Sequence, residues 1–132
     1  MTIFESSYLK IQYNEATQAI WEEWQLDFTQ MVVGDNFRQP LEKLIAEIEP
    51  NKASKWLCDN TEQKTIDSKD QRWLEKTFYP ELLKKGIKKV ALVNAKSILG
   101  TGYAKNCLRN LDNTLNVEVF NRNDEAKAWL AS

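Results

Sequence analysis

The chain has 132 residues, the length of one domain, and a domain of that size buries enough surface to stand without disulfides or metals. Apolar residues make up 42% and charged residues 28%, and 18 basic against 19 acidic side chains leave a net charge of -1. This balance excludes a disordered chain and lacks the basic surplus by which phosphate-contacting proteins bind nucleic acid. No apolar run is long enough for a transmembrane segment and no secretory pattern opens the chain, so the expectation is a cytoplasmic protein with Cys58 and Cys107 reduced.

In chain order, residues 8–13 alternate, with Leu9, Ile11 and Tyr13 on one face and Lys10 and Gln12 on the other, the pattern of a half-buried strand. Ile3-Phe4 can add a short strand segment before it. Asn14-Glu15 supplies a turn, and residues 16–24 then read as the partner strand of a hairpin. That strand carries apolar residues on both faces: Ile20 and Trp24 on one, Ala19 and Trp21 on the other. Met31-Val32-Val33 is apolar without a clear period. Gly34-Asp35-Asn36 breaks the chain with capping chemistry, and Phe37, Leu41, Leu44, Ile45 and Ile48 recur at helical spacing up to Pro50-Asn51. Pro40 is expected near the first turn, where amide donors lack helical partners anyway.

Residues 53–58 predict a short strand ending at Asp59-Asn60. After a polar loop, Asp67-Ser68 opens a helix bearing Trp73, Leu74, Thr77, Phe78 and Leu82, which Pro80 must kink or split and Gly86 closes. Lys84, Lys85, Lys88 and Lys89 cluster around Gly86 and read as a solvated helix end and strand start. Val90-Ala91-Leu92-Val93 is the run of a buried parallel strand within residues 88–94. Leu99, Tyr103, Cys107, Leu108 and Leu111 form another helical stripe; residues 116–120 predict the last strand, and Asn123-Asp124 caps a closing helix with Ala126, Trp129 and Leu130 on its apolar face. The fold class is therefore α/β: a mixed four- to five-stranded sheet with an N-terminal antiparallel hairpin, later strands parallel, and about four helices, all in one domain over residues 1–132.

Three stretches carry a resemblance to a known family: Lys55-Trp56-Leu57-Cys58-Asp59-Asn60 with the segment from Thr65-Ile66-Asp67-Ser68 to Trp73-Leu74; Pro80 with Gly86-Ile87-Lys88-Lys89-Val90-Ala91-Leu92-Val93; and Val119-Phe120 with Glu125-Ala126-Lys127-Ala128-Trp129-Leu130. In these the chain resembles the bacterial SpoIIAA-like family of STAS-type domains over nearly its whole length. The resemblance implies a mixed sheet with stacked helices. It also implies a group that includes regulatory partner-binding domains and relatives of lipid carriers. In STAS-type antagonists of anti-sigma factors a serine after an aspartate at this kind of turn is a phosphorylated switch, and Ser68 occupies that position. Lys69-Asp70 follows it where those proteins carry a small residue and a glycine, so Ser68 is read first as a helix cap, with Gln71 completing a capping box and Asp67 as the alternative cap.

The sequence holds no histidine, no metal-ligand spacing and no glycine-rich phosphate loop; Gly100-Thr101-Gly102 lacks the further glycines. Glu22 and Glu23, neighbours in a strand, point to opposite faces, and Asp67 with Asp70 suits a helix start. Cys107, in mid-stripe, reads as packing. The expectation is accordingly a non-catalytic regulatory or protein-interaction module with no cofactor. The alternative is a small-molecule or lipid-binding domain for a small apolar ligand, whose crevice lies outside the carboxyl ends of the parallel strands at Asp59, Asn60, Asn94 and Lys96. A homodimer is compatible with either.

Overall fold

The structure is a computed structural model and describes residues 1–25, 32–62, 66–93 and 101–132, the side chains of Thr101 and Gly102 excepted. Among these residues six strands form one sheet in chain order: β1 (Thr2–Glu5), β2 (Leu9–Asn14), β3 (Ala19–Trp24), β4 (Lys55–Asp59), β5 (Lys89–Val93) and β6 (Asn116–Phe120). β1, β2 and β3 run antiparallel in sequence, and β3 to β6 are parallel. The expected mixed sheet is present with one strand more than the four to five read from sequence. Ile3-Phe4 belongs to a full strand, which pairs with β2 across an irregularity between Thr2 and Phe4 and is tied down by the Met1 ammonium on the Tyr13 carbonyl at 3.0 Å.

Helix α1 (Asp35–Asn51) joins β3 to β4. A continuous helical segment joins β4 to β5, made of α2 (Ser68–Trp73), a π-helical turn (Leu74–Phe78) and α3 (Tyr79–Lys85). Helix α4 (Thr101–Leu111) joins β5 to β6, and α5 (Asn123–Ala131) closes the chain. A sheet whose parallel strands advance in one direction sends every right-handed crossover over the same face. α1, α2–α3 and α4 accordingly share one core with Leu9, Ile11, Ile20, Trp56, Val90, Leu92 and Val117. Among the described residues α5 alone lies on the opposite face, where Ala126 and Leu130 meet Ala19, Leu57, Ala91 and Val93. The alternation of β3 explains its two-sided apolar pattern: Ile20 and Trp24 enter the larger core, Ala19 and Trp21 the smaller.

All three prolines lie in helices, and two of them, Pro40 and Pro80, have visible consequences. Pro40 lies within α1, deeper than the first turn, and offers no amide to the Asn36 carbonyl one turn back; that carbonyl accepts the Tyr8 hydroxyl at 3.2 Å instead. Pro80 sits just after the π turn, in which the Tyr79 amide reaches back to the Leu74 carbonyl. The wider turn adds one residue to the helical repeat before the proline ring. It rotates the face, so Thr77 is exposed and Tyr79 is buried with Leu74, Phe78 and Leu82. The stripe of α4 is corrected likewise. Ala104 and Leu108 are buried, whereas Tyr103 and Leu111 are 41% and 48% exposed. Leu99 lies outside the described residues.

Lys89 is not a solvated strand start. α5 has no basic residue in its last turn. Lys89 donates to the Trp129 carbonyl at 2.9 Å and Lys55 to the Leu130 carbonyl at 2.6 Å, so two strand-start lysines supply the positive charge that the helix C-terminus favours. No described helix is long and apolar enough to cross a membrane.

Candidate functional site

The helices that follow β3 and β4 pack on the face that carries α1–α4, but the helix that follows β6, α5, packs on the other face. Where these directions part, at the carboxyl ends of the strands, a cleft of about 710 Å³ opens. Its walls are residues 23–25 at the end of β3, Asp59, Thr61 and Glu62 after β4, and residues 121–124 entering α5. This is where an open α/β sheet places ligands, because strand ends and helix starts leave backbone groups and loop side chains unclaimed by the ladder.

The cleft is polar and internally braced. The Asn123 side-chain amide donates to Glu23 Oε2 at 2.9 Å and to Asp59 Oδ2 at 2.8 Å, joining the ends of β3 and β4. Lys127 adds an ion pair to Glu23 at 3.0 Å and lies 4.0 Å over the Trp21 ring. Asp59 Oδ1 accepts the Thr61 amide at 2.9 Å, and Arg122 pairs with Asp124 at 2.9 Å on the exposed rim. Arg122, not Asn123, is the residue preceding α5, and its side chain forms no cap; Asp124 instead accepts the Glu125 amide.

Directly beneath, on the helix-bearing face, the same strand ends hold a buried acid. Glu22 pairs in register with Cys58, and Glu23 with Asp59, so adjacent residues of both strands serve opposite faces. Glu22 is 3% exposed. Its Oε2 accepts the Trp24 indole at 2.8 Å and the Cys58 thiol at 3.3 Å, and its Oε1 accepts the Trp56 indole at 3.1 Å. Burial pushes its carboxyl up to about 7, against the opposing pull of those three donors. The Cys58 sulfur also lies 3.3 Å from Asn60 Oδ1, and burial pushes that thiol well above its ordinary range. Trp24 belongs to both places: it donates to Glu22 and lines the cleft.

Of the four crevice residues expected from sequence, Asp59 lines the cleft. Asn60 turns to the other face and meets Cys58; Asn94 and Lys96 lie outside the described residues. Ser68 stands apart from the cleft as the first residue of α2, exposed. It is not the cap: the Asp67 side chain accepts the Lys69 amide at 3.0 Å, and the Gln71 side chain points to Glu75 without closing a box. Asp70 is 1% exposed and does more than favour a helix start, since it accepts the Gly34 amide at 2.9 Å and the Arg38 guanidinium at 2.8 Å, clasping α2 to α1.

Sequence reasoning separated Glu22 from Glu23 but missed the burial of Glu22. The signal was the period itself: Ile20 and Trp24 share its face, and an acid between two large apolar residues at spacing two sits inside. Both cysteines are free, Cys58 buried and Cys107 half-buried. No group of three or more ligating side chains among the described residues is placed to hold a metal ion. No protein-family model matches the chain, and neither the curated proteins nor the solved structures contain a significant match.

Proposed function

We propose that this chain is a non-catalytic binding domain of the SpoIIAA-like kind, which holds a small polar ligand in the cleft at the carboxyl ends of β3 and β4. The observation that carries the reading is the cleft's position together with its braced wall, in which one asparagine ties Glu23 and Asp59. A wall held by charge-assisted hydrogen bonds is preorganised, so little ordering cost falls on the ligand. The lining, with Glu23, Asp59, Glu62, Arg122 and Asp124, suits a polar ligand better than the apolar one expected from sequence. Native mass spectrometry of gently purified protein tests it: a retained small molecule, lost in Asp59→Ala, is the expected result. Protein that retains nothing and shows no cleft chemical-shift change across a panel of polar metabolites would end the reading.

A second reading, a regulatory module switched at Ser68, is favoured by one observation. Because Asp67 makes the cap, the Ser68 hydroxyl is exposed at a helix start and, among the described residues, has no structural bond to lose on modification. Ser68→Asp should then change capture of a protein partner while leaving the melting temperature unchanged. Identical partner capture by Ser68→Asp and unsubstituted protein would remove this reading.

A further inference from the structure

The geometry points to a proton-operated switch in which Glu22, the Cys58 thiol and Asn60 form one reversible hydrogen-bond chain that carries the protonation state of Glu22 to the end of β4. Cys58 Sγ lies midway, 3.3 Å from Glu22 Oε2 and 3.3 Å from Asn60 Oδ1. A thiol has one proton, so it donates to one of these oxygens at a time. With Glu22 ionised, the carboxylate is the stronger acceptor and the thiol donates to it. With Glu22 protonated, its O–H donates to the sulfur, and the thiol proton swings to Asn60. No proton leaves Cys58 in either state; the only proton exchanged with solvent is that of Glu22.

The surroundings leave Glu22 free to act this way. Among the described residues no lysine or arginine forms an ion pair with it, and its three partners are two indoles and a thiol. Among the described residues the titratable groups nearby are Cys58 and Asp59 of β4, Tyr79 of α3, Glu75 of the π turn and Cys107, which faces Tyr79 from α4. Burial holds Tyr79 and Cys58 in their neutral forms, so neither supplies a competing charge. Across the aromatic layer of Trp24, Phe37 and Trp73, α1 carries two cations: Arg38, already engaged by Asp70, and Lys43, whose ammonium lies over the Phe4 ring. Residue 60 follows Asp59 and precedes Thr61, both walls of the cleft, while Trp24 reaches the same cleft from β3. The signal's destination rests on the binding reading above; the chain itself titrates with or without a ligand.

The test is a pH titration of ligand-free protein by heteronuclear NMR from about pH 5 to about pH 9, a window centred on the carboxyl held near 7. The Trp24 and Trp56 indole N–H resonances should move downfield as Glu22 ionises, and the Asn60 side-chain amide should move with the same midpoint. Glu22→Gln should flatten all three. Cys58→Ala keeps the Glu22 charge and its distance from Asn60 but removes the thiol, so the indoles should still titrate while Asn60 becomes flat. Indoles that do not titrate in the unsubstituted protein would overturn the switch, as would an Asn60 response that survives Cys58→Ala. Because no ligand is added, a failure here is distinct from a failure of the cleft to bind.

Discussion

At the scale of single residues, Glu22 is the feature that ordinary core packing does not explain. A carboxyl in this position costs stability when it is charged, and the sign follows from its two environments. In the unfolded chain it titrates near 4.5, and in the folded chain burial holds it near 7. Below the lower value both states are protonated and its contribution to stability is greatest. As pH rises from 4.5 to 7 the unfolded state sheds the proton first, so stability falls, and above 7 the difference is constant. The total is about 3 kcal/mol by the conversion of pKa shift to free energy. Urea unfolding of the unsubstituted protein at about pH 5 and about pH 8 should therefore show lower stability at the higher pH. Glu22→Gln, fixed in the neutral form, should lack that component. The same pH dependence in both proteins would show that Glu22 does not titrate in this range. Neighbouring residues divide the same way: Glu23, one position along, faces the cleft and is held by Asn123 and Lys127.

At the scale of elements, the start of α2 shows how capping roles pass between adjacent residues. Asp67 has extended dihedrals and accepts the Lys69 amide, and Ser68 is already helical, so the cap lies one residue before the serine. Asp67→Ala should destabilise by about 0.5–2 kcal/mol, the usual cost of a lost cap, while Ser68→Ala should stay within about 0.5 kcal/mol. Paired melting curves check it, and a larger loss from Ser68→Ala would return the cap to the serine. The elements were legible in sequence where one period held throughout: the β2 alternation, the α1 stripe and the Val90 to Val93 run. They were misread where the backbone changed period, as at the π turn that moved Thr77 out and Tyr79 in. The candidate site was legible only in its place. Asp59 could be named because strand ends in α/β sheets face ligands, but Asn123, Arg122 and Glu23 reach the cleft through the crossing of the chain after β6 to the other face. Nothing in the local sequence around residues 121–124 announces that crossing.

At the scale of the whole molecule, the two faces of the sheet are unequally covered, and this makes α5 decisive. Among the described residues three crossover helices share the larger core, while α5 alone shields Leu57, Ala91 and Val93. Ala126 and Leu130 are fully buried against these residues. Trp129 is half-buried instead: it packs on Phe120 with ring centroids 5.4 Å apart and carries the Lys89 ammonium 4.4 Å over its ring. Its removal should cost less than the loss of a fully buried ring. Leu130→Ala leaves a void between helix and sheet and should cost about 2–5 kcal/mol. Truncation before Asn123 should do more than add up those side chains. It exposes the central strands β4 and β5 on one face, deprives Lys55 and Lys89 of the helix carbonyls they cap, and removes the asparagine that joins Glu23 to Asp59. The expected outcome is a truncated chain that melts well below the full protein, self-associates through the uncovered face in sedimentation, and loses the cleft. Leu130→Ala, which keeps Asn123 in place, should lower the melting temperature with the cleft intact. The two variants thus separate the packing role of α5 from its part in building the cleft. A truncated protein that melts like the full chain and stays monomeric would mean that α5 is not part of the core, whatever its contacts.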